Sequence, residues 1–68
     1  MKIIFNGQNI ALPASQILSS LLVENNIEKQ TPGIAVAVNE KIIPREKWDS
    51  LFLDNGDRIE IVYAVQGG

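Results

Sequence analysis

The feature that most constrains the fold is one segment of helical periodicity placed between segments typical of strands. It is ASQILSSLLVENNIEK, residues 14–29, and its apolar positions on one side of a 3.6-residue period are Ile17, Leu18, Leu21 and Leu22. The pattern predicts an amphipathic helix of about three turns, with Ser15 as the N-cap and Asn25-Asn26 at its end. Because one helix covers one face of a sheet, the rest of the chain must supply that sheet.

Five other segments are rich in strand formers. Asn6-Gly7 is a strong type I′ hairpin signal between the first two of them. Pro13 cannot donate to a ladder and ends the second strand, as Pro44 ends the fourth. The predicted strands are residues 2–6, 8–12, 34–38, 41–43 and 58–65.

The order β-β-α-β-β-β predicts an α+β fold: a mixed four- or five-stranded sheet with one main helix packed on one face. The first and last strands are expected to pair in parallel at the centre. A single helix held in the palm of such a sheet is the β-grasp arrangement. The chain of 68 residues is predicted to be one domain, residues 1–68, with a flexible tail at residues 66–68.

The composition excludes several classes of function. The chain contains no His and no Cys, which removes the commonest general base, the strongest nucleophile and any zinc-thiolate site. Its serines have no base with which to form a triad, and no carboxylates are spaced as a metal loop. We therefore predict no catalytic residue, no metal site and no stably bound cofactor.

Charge and hydropathy restrict the partners. With a net charge of -2 and scattered basic residues, the chain lacks the basic face of a nucleic-acid binder. No apolar run approaches the roughly 18 residues of a membrane span. The sequence predicts a cytoplasmic protein that binds neither nucleic acid nor membrane.

The last residues carry the chemistry that the side chains lack. The strand RIEIVYAV leads directly into Gln66, Gly67 and Gly68, which extend about 10 Å at roughly 3.3 Å per residue. Glycine has no Cβ, so such a tail suits a narrow slot in another protein. Its reactive group is the α-carboxylate of Gly68, which is a poor electrophile until it is activated, and adenylation by ATP is the obvious route.

With these residues in place, the chain resembles the ubiquitin-like sulfur carriers, and among them the ThiS family of thiamine biosynthesis. The resemblance spans essentially the whole chain and departs at Ile17, where a polar helix start is expected. It rests on Asn6-Gly7, on residues 33–39 (GIAVAVN), on Ile43-Pro44-Arg45 with Trp48, and on Gly56-Asp57 leading to residues 65–68 (VQGG).

The resemblance implies a mechanism and three partners. An E1-like adenylyltransferase of the ThiF type would use ATP to activate the carboxylate of Gly68. Sulfur from a cysteine desulfurase persulfide would convert that carboxylate to a thiocarboxylate. The thiocarboxylate would deliver sulfur to a thiazole synthase of the ThiG type, so the protein is a co-substrate and not an enzyme.

A docking surface is expected on the sheet face that the helix leaves uncovered. An apolar patch near the tail, rimmed by charge, is typical of a partner site. Its predicted residues are Ile4, Ala35, Ala37, Val62 and Ala64, with Arg58 and Glu60 at the rim. Trp48 is interpreted as a packing residue, and Pro44 and Arg45 as residues that shape the turn before it.

Four alternatives remain at this stage. The chain could carry sulfur to a pterin, as a molybdopterin-synthase small subunit does, or to tRNA through a thiolation enzyme. It could instead be a protein modifier joined through Gly68 to a lysine amine, or a binding module with an inert tail.

Overall fold

The computed structural model describes residues 1–63, which form one sheet with a helix on one face. The elements are β1 (Lys2–Phe5), β2 (Gln8–Ala11), α1 (Leu18–Glu24), β3 (Ile34–Val38), β4 (Lys41–Ile43), a 3₁₀ turn (Arg45–Lys47) and β5 (Arg58–Tyr63). The sheet order is β2-β1-β5-β3-β4; β1 and β5 are parallel, and all other neighbours are antiparallel. The predicted β-grasp order and the parallel pairing of the first and last strands are confirmed.

Both hairpins use two-residue loops whose residues have positive φ. Asn6 and Gly7 have φ of 49° and 82°, and Asn39 and Glu40 have φ of 51° and 71°. Positive φ at both central positions defines the type I′ turn, whose twist matches that of the strands. The prediction from Asn6-Gly7 is therefore confirmed.

The core lies between the sheet and α1. Alternation along β3 and β5 sends Val36, Ile59 and Ile61 to the same side of the sheet as the buried leucines of α1. In the described residues the buried cluster comprises Ile3, Phe5, Leu18, Leu21, Leu22, Val36, Val38, Trp48, Leu53, Ile59 and Ile61. Packing of this cluster is the chief source of stability, since the chain has no cysteine.

The helix is shorter than predicted and begins later. It runs from Leu18 to Glu24, which is seven residues or about two turns. Gln16 has φ of 61°, which is incompatible with a right-handed helix, and Ile17 forms an antiparallel bridge with Phe52. The predicted end at Asn25 is confirmed.

The prediction of Ser15 as N-cap is wrong. Ile17 occupies that position and makes no side-chain cap, while the Ser15 hydroxyl accepts a hydrogen bond from the Ile17 N–H at 3.3 Å. The first helical N–H groups instead find acceptors in a distant loop. Leu18 donates to the Leu51 carbonyl and Ser19 to the Trp48 carbonyl, each at 2.9 Å. These bonds satisfy donors that a polar cap would otherwise serve, so an apolar residue is tolerated at the cap.

The last predicted strand, residues 58–65, is observed as β5 over Arg58–Tyr63. The predicted strand continues through residues 64–65, which lie outside the described residues. Among residues 1–63, no helix combines the length and apolar character needed to cross a membrane.

Candidate functional site

The C-terminal segment follows the central strand of the sheet in the sequence. Strand β5 lies between β1 and β3, and its last described residue, Tyr63, is paired with Ile34 at the start of β3. The predicted functional residues Gln66, Gly67 and Gly68, and the docking residue Ala64, lie outside the described residues. The structure therefore defines the strand that precedes the segment in the sequence.

One sheet face carries all the described residues predicted for docking. Paired residues on adjacent strands project to the same face, and the pairs Ile4–Arg58, Ala37–Glu60 and Ala35–Val62 alternate with the buried pairs. This places Ile4, Ala35, Ala37, Arg58, Glu60 and Val62 opposite α1. We call this the outer face.

Exposure on the outer face is uneven. Val62 is 47% exposed, and Ile4 and Ala35 are partly exposed. Ala37 is only 7% exposed and contributes little surface, because it lies between the longer side chains of Glu60 and Ile42. The accessible apolar surface of this face therefore comes from Val62, Ile4 and Ala35 more than from Ala37.

Ile42 also belongs to the outer face, although it was not predicted to do so from the sequence. It is paired with Ala37 across the β3–β4 hairpin and is 59% exposed. The signal was available: a two-residue loop at Asn39-Glu40 fixes the register and sets residue 42 opposite residue 37. Val62 lies beside Ala35 and Ile42 beside Ala37, and we call these four residues the apolar trough.

The rim charges of the outer face are open to a partner. Arg58 and Glu60 are exposed, and the one ion pair within residues 1–63 is Lys29–Asp49, which involves neither. The Arg58 backbone is fixed, because its N–H donates to Asn39 Oδ1 at 3.0 Å. Within residues 1–63, neither of these opposite charges on β5 takes part in an ion pair.

Buried Trp48 and half-buried Arg45 lie together at the same end of the sheet as Tyr63. Trp48 is 1% exposed, which confirms it as a packing residue, and its Nε1–H donates to the Ile43 carbonyl at 3.1 Å. The Arg45 guanidinium lies 5.1 Å from the centre of the Trp48 ring. It also donates to the Ile34 carbonyl at 2.9 Å and to the Lys29 carbonyl.

Two open grooves lie in the described residues, one along α1 and one beside β4, where Ile42 of the outer face contributes to the lining. One, of about 350 Å³, runs along α1 beside Trp48, Lys29 and Asp49, and the other, of about 410 Å³, runs beside β4. The Lys29 ammonium, 2.7 Å from Asp49 Oδ2, lowers the pKa of that carboxyl below 3.8, with a smaller contribution from the Ser19 hydroxyl. In the part of the chain that the structure describes, no cluster of acidic residues could hold a metal.

Comparison with known proteins identifies relatives across the whole chain. The model of the ThiS family matches residues 3–68. The sulfur carrier protein ThiS of Escherichia coli K12 is 34% identical over 68 residues, which is all of both chains. A thiazole synthase of Paramagnetospirillum magneticum is 31% identical over the whole of this chain, but the match spans only 20% of that longer protein.

Solved structures agree on the fold. The crystal structure of the thiamine biosynthesis protein ThiS from Geobacter metallireducens superposes with a TM-score of 0.80 at 24% identity and full coverage of both chains. The solution structure of a thiamine biosynthesis protein from the same organism gives 0.71 at 24% identity, covering all of this chain and 88% of the other.

Proposed function

Since this chain belongs to the ThiS family, we propose that it is a sulfur carrier protein of thiamine biosynthesis whose carrier group is the carboxyl group of Gly68. The observation that carries the proposal is that β5, the central strand of the sheet, is the element after which Gln66, Gly67 and Gly68 follow in the sequence. A rigid base with a glycine end suits delivery of a reactive terminus into a partner's active site.

The terminal carboxylate is converted to a thiocarboxylate in three steps. The Gly68 carboxylate attacks the α-phosphorus of ATP in an E1-like, ThiF-type adenylyltransferase, forming an acyl-adenylate and releasing pyrophosphate. A persulfide supplied by a cysteine desulfurase then attacks the acyl carbon, and AMP leaves. A second thiol reduces the resulting acyl disulfide, which releases the thiocarboxylate and leaves a disulfide on the donor side.

The thiocarboxylate delivers its sulfur to a thiazole synthase. Supporting this choice, a segment equal to one fifth of a protein named thiazole synthase resembles this whole chain. Side chains of the carrier take no part in bond making, in keeping with a sequence free of His and Cys. The protein acts as a co-substrate regenerated in each cycle, in the cytoplasm, where its partner uses ATP.

The outer face is the proposed docking surface for the adenylyltransferase. Val62 and Ile42 are exposed apolar side chains there, and Val62 directly precedes the last described residue before the C-terminal segment. A partner that covers this trough holds the terminus at a fixed distance from its own active site. Arg58 and Glu60 set the orientation from the rim.

The test is the intact mass of tag-free protein isolated from its own cells starved of thiamine. We expect a species in which sulfur replaces one oxygen, mapped to Gly68 by fragmentation. The same species should form in vitro only when ATP, a sulfur source and the adenylyltransferase are all present. Deletion of Gly68 should abolish it and leave the thermal unfolding curve unchanged.

Two results would redirect the assignment. A ladder of high-mass conjugates after activation, joined through Gly68 to lysine amines, would make the chain a protein modifier. An unmodified mass under every condition, with a Gly68 deletion that has no effect, would leave a binding module.

A further inference from the structure

The side chain of Arg45 supplies a hydrogen bond to β3 beyond the point where β4 ends. In the β3–β4 register, Val38 is paired with Lys41 and Val36 with Ile43, so continuation of the register would set Ile34 opposite Arg45. Strand β4 stops at Ile43, and Pro44 has no N–H to donate. The Arg45 guanidinium instead reaches back and donates to the Ile34 carbonyl at 2.9 Å.

The position of Ile34 gives that bond its importance. On its other side Ile34 is paired with Tyr63, the last described residue of β5. Within residues 1–63, the start of β3 is therefore the neighbour that holds the end of β5. Without Arg45, the first residue of β3 would face a sheet edge that β4 no longer covers.

Arg45 is itself fixed at several points. Its guanidinium lies over the buried Trp48 ring, with 5.1 Å between Cζ and the ring centre, and its other terminal nitrogen donates to the Lys29 carbonyl. The fork of the guanidinium thus joins the loop before β3 to the first residue of β3. A lysine ammonium is a single point of charge and has no planar fork.

We propose that Arg45 is a positioning residue for the end of β5: through Ile34 it holds Tyr63, after which the C-terminal segment follows in the sequence. This role rests on the proposed carrier function. A terminus that leaves from a fixed point loses less conformational freedom when it enters a partner, so the partner binds it more readily.

The experiment compares Arg45→Met and Arg45→Lys with Lys47→Met. Lys47 belongs to the same 3₁₀ turn and is exposed, and within residues 1–63 its side chain makes no ion pair. Backbone ¹⁵N heteronuclear NOE values should fall at Val62 and Tyr63 in both Arg45 variants, stay unchanged at Ile59, and stay unchanged throughout in Lys47→Met. In adenylation by the ThiF-type partner, KM for the Arg45 variants should rise about two- to tenfold with little change in kcat.

Three results would overturn the positioning role. The first is unchanged NOE values at Val62 and Tyr63 in Arg45→Met. The second is a fall of equal size at Ile59, because that would indicate general loosening of the sheet. The third is full recovery in Arg45→Lys, because a point charge would then suffice. If wild-type protein is never adenylated, the carrier function fails, while the NOE values still decide the role of Arg45.

Discussion

The side-chain oxygen Oδ1 of Asn6 accepts a hydrogen bond from the backbone N–H of Ile61 at 2.9 Å, across 55 positions of sequence. The Asn6 N–H in turn donates to the Ile59 carbonyl at 2.9 Å. The turn residue of the first hairpin therefore extends the pairing of β1 with β5 beyond Phe5. One residue, Asn6, thus both favours the local turn and accepts a long-range hydrogen bond from β5.

Replacement of Asn6 by alanine should destabilise the fold by about 2 kcal/mol. The substitution removes the acceptor of a partly buried N–H, a loss of about 1–3 kcal/mol, and leaves a β-carbon at positive φ without a local hydrogen bond. Asn6→Asp is the matched control, since it keeps an oxygen at the same place and tolerates the turn. Urea denaturation of the two variants measures the difference, and equal stability would contradict the bond's importance.

Trp48→Phe should cost about 1–2 kcal/mol of unfolding free energy, because the Ile43 carbonyl loses its indole donor and the core loses volume. Phe52→Leu, at a side chain that is 66% exposed, should stay within about 0.5 kcal/mol of the wild type. Thermal and chemical unfolding of both variants checks the contrast. If Trp48→Phe leaves the free energy of unfolding unchanged, Trp48 is not one of the residues that hold the 3₁₀ turn against the sheet.

Val62→Asp should leave the domain folded and weaken adenylation at least tenfold, because it places a charge in the apolar trough of the outer face. Val23→Asp makes the same chemical change on α1, on the opposite side of the sheet, where the side chain is 61% exposed. Adenylation should be normal in that control. If Val62→Asp is adenylated as well as the wild type, the outer face is not the docking surface.

The Lys29–Asp49 pair should make a small contribution to stability that depends on pH. The pKa of Asp49 is lowered in the folded protein, so the contribution is complete above 3.8, its ordinary value, and is lost as the pH falls through the lower folded value. In Lys29→Met the Asp49 pKa should return toward 3.8, as read from its carboxyl ¹³C shift. The difference between the two proteins should shrink in high salt; an unchanged Asp49 titration would show that Ser19 alone accounts for the shift.

Strand positions were predictable because their signals are local. Asn6-Gly7 specifies a hairpin whatever surrounds it, and the alternation of residues 34–38 assigns their faces before any partner strand is known. The start of the helix was not predictable in this way. Its first donors are satisfied by the carbonyls of Leu51 and Trp48, and a backbone carbonyl leaves no trace in the sequence.

Prediction of the candidate site was limited in the same way, because contacts to main-chain oxygens cannot be read from the sequence. Alternation identified the outer-face members of β3 and β5, and Ile42 was within reach once the register of the second hairpin was considered. Arg45 was recognised only as part of a turn, since both of its acceptors, at Lys29 and Ile34, are main-chain oxygens. Its partners depend on where β4 stops, which only the assembled sheet defines.

The parallel pairing of β1 with β5 has a mechanical consequence. A force applied between the N-terminus and the C-terminal segment pulls these neighbouring strands in opposite directions along their length. Their hydrogen bonds are then loaded together in shear and do not open one at a time, so the force needed for rupture is high. Such a force is therefore resisted first by the central contact between β1 and β5, and the edge strands β2 and β4 are loaded only after that contact breaks.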